Sequence, residues 1–227
     1  MRVGFPAAAL AAALAAAPGA RAQVIPSPYA FIEERQEVGL FAGYLDTGSG
    51  RLGFAPPGGI WAGARYGIEL SGPLSLEAVA GAVRSTRDVV SPALPLGEQV
   101  IGEADIVLAT IEGRLKLSLM GRRSWHGLSP FLVFGGGIVF DAWNDRSRDI
   151  LVEQDEIFDF GSSFLGTAGV GTRWFITPRF ATRVDGLFSL WNVETPVGFF
   201  DYDHLGDIPR DEWLSGLSVS VSLLFRW

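Results

Sequence analysis

The last fifteen residues of the chain, 213–227, alternate between apolar and polar side chains with a period of two. The apolar parity consists of Leu217, Val219, Val221, Leu223, Phe225 and Trp227. The opposite parity holds Ser218, Ser220, Ser222 and Arg226. Because successive side chains of a β-strand point to opposite faces, this pattern predicts a strand with one apolar and one polar face.

The same kind of pattern recurs along the chain and predicts eight strands separated by turn signals. They are residues 38–45, 59–70, 74–84, 106–119, 130–140, 164–176, 180–193 and 213–227. Segments 38–45 and 130–140 are apolar or glycine on both faces, so their orientation stays open. The 29 glycines and 16 phenylalanines also favour an all-β chain with many turns.

Charged residues inside these segments fall on one face only. They are Arg65, Glu69, Glu77, Glu112, Arg114, Lys116, Arg173, Arg183 and Asp185. A charge facing lipid near the middle of a membrane costs about 2–4 kcal/mol, so a lipid-facing wall requires this confinement. A soluble sandwich or barrel also alternates, and there the apolar face would be the core. Arg84 and Asp105 are the two charged residues that do not follow this one-face rule, and we place both at strand ends.

The connections between the segments alternate in length. Short ones cover residues 71–73, 120–129 and 177–179, and long ones cover 46–58, 85–105, 141–163 and 194–212. Successive connections of an up-and-down barrel lie at opposite rims, so all short turns would lie at one end and all long loops at the other. Outer-membrane barrels have this asymmetry, and several such long loops are unusual in a compact soluble domain.

The first 22 residues predict a cleavable signal peptide, which we exclude from the fold. An early charge, Arg2, precedes an Ala/Leu stretch, and Ala20-Arg21-Ala22 matches the small-x-small cleavage pattern. No later stretch is long and apolar enough for a membrane helix. The chain has no cysteine, which excludes a disulfide scaffold and a thiol nucleophile. Its net charge of −7 argues against nucleic-acid binding.

With these features the chain resembles the small outer-membrane β-barrel proteins of Gram-negative bacteria, the OmpA/OmpX-like group. The most specific element is the C-terminal pattern Val221, Leu223, Phe225 and Trp227, which resembles the signal read by the barrel-assembly machinery. Pro130-Phe131 followed by Gly135-Gly136-Gly137 resembles a Gly-rich strand common in these barrels. The resemblance implies an eight-stranded antiparallel transmembrane barrel over residues 38–227, without a peptidoglycan-binding domain. Residues 23–37 would form an N-terminal periplasmic segment, in the mouth of the barrel or disordered.

An eight-stranded barrel is just wide enough for side chains to fill it, so we expect the nine charges to form a lumen network. The expected role is structural or surface interaction, such as envelope integrity, adhesion or binding through acidic extracellular loops. One alternative is a narrow ion or small-solute channel, whose conductance would shift when Arg114 or Arg183 is neutralised. The other is a soluble secreted barrel that binds an apolar ligand. Expected partners are outer-membrane lipid, lipopolysaccharide and the assembly machinery, and the protein is expected to be a monomer.

Neither an enzyme nor a cofactor is predicted. The two histidines, His126 and His204, fall on opposite rims, without a matching serine and acid for catalysis and without a zinc-site spacing. The loop 194–212 contains a weak calcium-loop spacing in Asp201, Asp203, Gly206 and Glu212, with Asp207 beside it, although Leu205 interrupts it. We otherwise interpret the acidic loops as solvated surface.

Overall fold

The computed structural model describes residues 27–95 and 97–227. The predicted signal peptide therefore lies outside the described residues. The described residues form ten strands: β1 (Tyr29–Phe31), β2 (Gln36–Thr47), β3 (Gly58–Ser71), β4 (Leu74–Val90), β5 (Val100–Ser118), β6 (Arg123–Trp125), β7 (Leu128–Asn144), β8 (Ser162–Phe175), β9 (Phe180–Glu194) and β10 (Asp211–Arg226). Short 3₁₀ helices cover Asp149–Leu151, Val197–Asp201 and Asp203–Leu205.

Eight of these strands close into an antiparallel barrel. The order is β7-β5-β4-β3-β2-β10-β9-β8, and β8 pairs with β7 to complete the ring. The first and last barrel strands, β2 and β10, pair along Glu37↔Arg226 to Thr47↔Gly216. The predicted fold, a closed eight-stranded up-and-down barrel, is confirmed. β1 and β6 are extra short strands outside the ring.

The outer face of the wall is apolar, whereas the inner face carries all the buried strand charges together with apolar side chains. In β10, Leu217, Val219 and Val221 are 65%, 61% and 56% exposed. The serines between them, Ser218 and Ser220, are buried in the interior. A soluble barrel would show the reverse, so the alternative of a soluble barrel with an apolar core is wrong for this wall.

Short and long connections lie at opposite ends, which we call the turn end and the loop end. At the turn end, a tight turn joins β6 to β7 through His126 and Gly127, whose φ angles are 49° and 80°. Two consecutive residues with positive φ form the type of turn that matches the twist of a hairpin. At the loop end, residues 48–57, 91–99, 145–161 and 195–210 connect the strands.

The connection predicted over 85–105 is wrong, because most of it is strand. β4 continues to Val90 and β5 begins at Val100, so only residues 91–99 form the loop. Arg84 and Asp105 consequently lie within strands, exposed on the outer side, with 4.0 Å between Arg84 Nη2 and Asp105 Oδ2. The sequence pattern was obscured because polar side chains occupy both faces of this hairpin above the barrel.

Aromatic side chains fill the interior where glycine lies on the neighbouring strand. A Cβ atom at Gly63 would lie 2.8 Å from Phe41 Cζ, and one at Gly81 would lie 2.6 Å from Trp61 Nε1. The rings of Phe41 and Trp61 meet edge-on at 4.7 Å. Glycine at these wall positions therefore makes room for large rings in a narrow barrel.

Candidate functional site in the barrel interior

The turn half of the interior holds a cluster around Glu37. Its carboxylate pairs with the Lys116 ammonium and accepts a 3.0 Å hydrogen bond from Arg173 Nη1. Arg226 Nε lies 3.9 Å from the same carboxylate. Four strands thus meet at one buried acid, which connects opposite sides of the ring.

The middle of the interior holds a second cluster built on two acids. Arg183 lies between Glu77 and Asp185, with its Nη1 2.7 Å from Glu77 Oε2 and its Nη2 2.7 Å from Asp185 Oδ1. Arg65 Nη1 lies 2.8 Å from Asp185 Oδ2 and 3.5 Å from Glu77 Oε1. All four side chains are essentially inaccessible to solvent. Such charges are tolerated inside a protein only when they are paired.

A third pair continues the network toward the loop end. Arg114 donates two hydrogen bonds to Glu112, from Nε at 3.0 Å and from Nη2 at 2.8 Å. The Thr167 hydroxyl donates to the same carboxylate at 3.1 Å. Phe131 packs at the centre, with the Arg183 guanidinium carbon 4.5 Å from its ring centroid. Ion pairs and the stacking of guanidinium groups on rings together fill the turn half and the middle of the barrel.

The structure brings eight of the nine predicted lumen residues into the buried interior: Arg65, Glu77, Glu112, Arg114, Lys116, Arg173, Arg183 and Asp185. The ninth, Glu69, lies at the turn-end mouth, where its carboxylate pairs with Arg122 Nε at 2.9 Å. Sequence reasoning missed Glu37 because the predicted strand began at residue 38, one position too late. It also left Arg226 out of the network, although the parity of β10 places that residue inside.

The loop half of the interior is apolar instead of charged. A cavity of about 30 Å³ lies there, lined mainly by apolar side chains, including Leu108, Leu165 and Trp191. Three groups on its lining, the Trp61 Nε1–H and the Thr110 and Ser218 hydroxyls, have no hydrogen-bond partner among the described residues. A space of this size and polarity suits one or two water molecules.

Three loops form an apolar cap over the loop end. Phe54 of loop 48–57 packs against Phe158, with ring centroids 4.7 Å apart, and against Phe199 at 5.7 Å. Phe158 belongs to loop 145–161 and Phe199 to loop 195–210. All three rings are buried. Each of the three loops therefore contributes a ring to a shared core, while Glu153, Asp155 and Asp201 of the two acidic loops stay exposed.

Polar contacts hold the cap loops to one another. The Gly198 amide donates to the Asp155 carbonyl at 2.9 Å, which joins loop 195–210 to loop 145–161. The Tyr202 hydroxyl donates to Glu156 Oε1 at 2.7 Å, and this bond raises the pKa of Tyr202 to about 12.

Two residues of the predicted cation loop make other contacts. Glu212 Oε2 instead accepts a 2.9 Å hydrogen bond from the Arg51 amide, and the Arg51 side chain donates to the Asp207 carbonyl at 3.0 Å. Among the side chains that the structure describes, which do not include that of Asp203, no group of three or more His, Cys, Asp or Glu could hold a metal ion. Asp201 is the last residue of one short 3₁₀ helix, and Asp203 is the first residue of the next. The two histidines stay at opposite ends, His126 in a turn and His204 with Nε2 3.2 Å from the Leu94 carbonyl oxygen.

The segment before β2 crosses the turn-end mouth. The Ile32 amide donates to the Arg122 carbonyl at 2.9 Å, and the Ile32 side chain is buried. Farther along, Arg226 Nη2 donates to the Glu34 carbonyl at 3.0 Å, close to where β2 starts. β2 and the β6–β7 hairpin lie on opposite sides of the ring, so the segment spans the opening.

Comparison with solved structures identifies the architecture. The outer membrane protein OprG from Pseudomonas aeruginosa matches with a TM-score of 0.56 at 12% identity, over 87% of this chain and 97% of that one. This chain has the fold of a small outer-membrane β-barrel. Neisserial surface protein A aligns with a TM-score of 0.49 at 10% identity, over 85% of this chain and 97% of that one. The predicted resemblance is confirmed for the fold.

No family model matches this sequence, and no curated protein matches it. Within the described part of the chain, no helix is both long and apolar enough to cross a membrane.

Proposed function

We propose that this protein spans the outer membrane as a closed, non-catalytic barrel with a structural or surface-interaction role. The loop end faces the exterior and the turn end faces the periplasm, as the asymmetry of loop lengths in such barrels requires. Lipid and lipopolysaccharide surround the wall, and the barrel-assembly machinery reads the pattern ending in Phe225 and Trp227. The observation that carries the proposal is an interior closed at three levels.

The three levels oppose a channel role. The segment around Ile32 crosses the turn-end mouth, the cluster around Arg183 fills the middle, and the rings around Phe54 cover the loop end. A conducting path would require rearrangement of all three. An eight-stranded barrel has little room for an aqueous path beside such side chains.

The cap also supports a binding role for the loops. Because buried rings and hydrogen bonds join the loops, their outer surface is held in one arrangement, which lowers the entropy cost of binding. That surface exposes Ile150 and Val197, which are 85% and 75% accessible. The acids Glu153, Asp155 and Asp201 lie nearby in sequence and are exposed. A mixed apolar and acidic surface fits a basic protein partner.

Planar-bilayer recording tests the closed barrel. Folding is first verified by a gel in which the unboiled protein migrates differently from the boiled protein. We expect no conductance steps from the folded protein, whereas a large porin inserted into the same bilayers conducts. Steps that change when Arg114 or Arg183 is neutralised would establish the channel alternative and overturn the closed barrel.

Binding of a cationic peptide to vesicle-reconstituted protein tests the loop surface. We expect the combined Glu153→Gln, Asp155→Asn and Asp201→Asn variant to lose binding. The turn-end variant Glu33→Gln serves as the control and keeps it. Equal binding by both variants would contradict a role for these loop acids.

A further inference from the structure

Two short strands outside the barrel form a flap at the turn end. The flap consists of β1, residues 29–31, and β6, residues 123–125. Its register pairs Tyr29 with Trp125, Ala30 with Ser124, and Phe31 with Arg123. Nothing in the barrel closure requires this flap, since β7 already pairs with β5 and β8.

The flap has one inner and one outer face. Directly paired residues of a sheet point to the same face, so Tyr29 and Trp125 share a face with Phe31 and Arg123. Ser124 on the opposite face is buried. The three aromatic side chains are about half exposed, at 52% for Tyr29, 61% for Phe31 and 47% for Trp125. A soluble surface rarely concentrates so many exposed rings.

The outer face of the flap borders a groove against the barrel wall. Its lining consists of Tyr29 and Trp125 of the flap together with Met120, Leu128, Pro130 and Thr172. The groove has a volume of about 390 Å³ and is open to the outside. One step farther along β7 and β8, the paired residues Leu132 and Val170 are exposed on the outer wall. The groove is therefore continuous with the apolar, lipid-facing wall.

Cationic side chains accompany the rings. Arg123 is exposed on the aromatic face and makes no ion pair with the described residues. The guanidinium of Arg122 lies 4.6 Å from the Phe31 ring centroid. Aromatic rings with a polar edge favour the boundary between acyl chains and headgroups, and arginine at this level can reach a phosphate.

We infer that the flap groove binds a phospholipid of the inner leaflet, with the acyl chain against Tyr29 and Trp125 and the phosphate at Arg123. The inference rests on the proposed membrane-spanning orientation, because the turn end must face the phospholipid leaflet. Continuity with the lipid-facing wall selects lipid over a protein partner. The free cation beside the rings selects a lipid with a phosphate headgroup.

Spin labelling tests where the flap lies. Because the sequence has no native cysteine, a single introduced cysteine is the only site that the nitroxide reagent labels. Separate Tyr29→Cys, Val219→Cys and Asp207→Cys proteins carry a nitroxide in phosphatidylethanolamine–phosphatidylglycerol vesicles. We expect the label at 29 to resemble the wall label at 219, with high access to oxygen and low access to a nickel chelate. A label at 29 that resembles the exterior-loop label at 207 would overturn the inference. If the label at 219 is also aqueous, the membrane-spanning proposal itself fails.

Lipid retention tests whether the groove binds a phospholipid, independently of where the flap lies in the membrane. The protein is extracted from the same vesicles in mild detergent, and bound phospholipid is counted by native mass spectrometry. We expect the wild type to retain one phospholipid and the Tyr29→Ala, Trp125→Ala variant to lose it. Trp143→Ala removes an exposed ring at the loop end and should keep the lipid. Retention by the flap variant, with its fold verified by heat-dependent gel mobility, would overturn the inference.

Discussion

The Arg87 guanidinium binds both carboxylate oxygens of Asp149, with Nη2 2.6 Å from Oδ1 and 2.8 Å from Oδ2. Arg87 lies on β4 beyond the last pairing of that strand with β3, at Ile60↔Arg84, and Asp149 begins the 3₁₀ helix of loop 145–161. Both side chains are buried. Arg87 Nε also donates to Asn144 Oδ1 at 2.8 Å. The extended β4–β5 hairpin therefore holds this loop over the barrel end.

Replacing Asp149 with alanine should release the loop without unfolding the barrel. Removing one partner of a buried ion pair costs about 3–5 kcal/mol, because the remaining charge is buried unpaired. Limited proteolysis of the folded protein measures the effect, and we expect rapid cleavage within 145–161. Arg148→Ala, which removes an exposed neighbour, should leave the cleavage rate unchanged. Equal protection of both variants would contradict a role for the pair in holding the loop.

The single lysine of the chain offers a direct probe of access to the interior. Lys116 is 1% exposed and pairs with Glu37, so an amine-reactive reagent should modify it only after heat unfolding. Mass spectrometry of the tryptic peptide measures the modified fraction. The amino-terminal amine, labelled in both states, serves as the internal control. Rapid labelling of Lys116 in the folded protein would indicate a solvated path and favour the channel alternative.

Neutralising Arg183 should destabilise the whole barrel. Its guanidinium contacts Glu77 and Asp185, and Arg183→Met would leave Arg65 as the main partner of both acids. We expect a loss of about 3–5 kcal/mol in the free energy of unfolding. Urea unfolding followed by heat-dependent gel mobility measures it. The exposed turn residue Arg179 provides the matched control, and an equal loss in Arg179→Met would show that the interior position does not matter.

Sequence periodicity predicted the barrel because the outer face of each strand carries apolar side chains and the inner face holds the charges. The lumen charges followed from the same parity, since only one face can hold them. The cap could not be predicted in this way, because Phe158 and Phe199 lie in segments without periodicity and each packs on Phe54 only through the geometry of the loops. The pair of Arg87 with Asp149 joins positions 62 residues apart, and nothing local marks either residue as buried.

The extended hairpin should become more stable on acidification. Asp88 faces Glu103 across β4 and β5 above the barrel, and burial and then this neighbour raise the pKa of Asp88 above its ordinary value of 3.8. An acid whose pKa is raised by folding favours the folded hairpin when protonated, so this stabilisation is complete below pH 3.8 and is lost as pH rises through the raised pKa. Hydrogen exchange of hairpin amides, corrected for the intrinsic pH dependence of exchange, measures the effect.

Asp88→Asn removes the titrating group and should protect the hairpin at neutral pH as acid protects the wild type. Its protection should also vary less between neutral and acidic pH. Glu98→Gln, in the exposed loop of the same hairpin, changes the net charge equally and should keep the wild-type pH dependence. If Asp88→Asn retained the full pH dependence, the repulsion between Asp88 and Glu103 would not be its source.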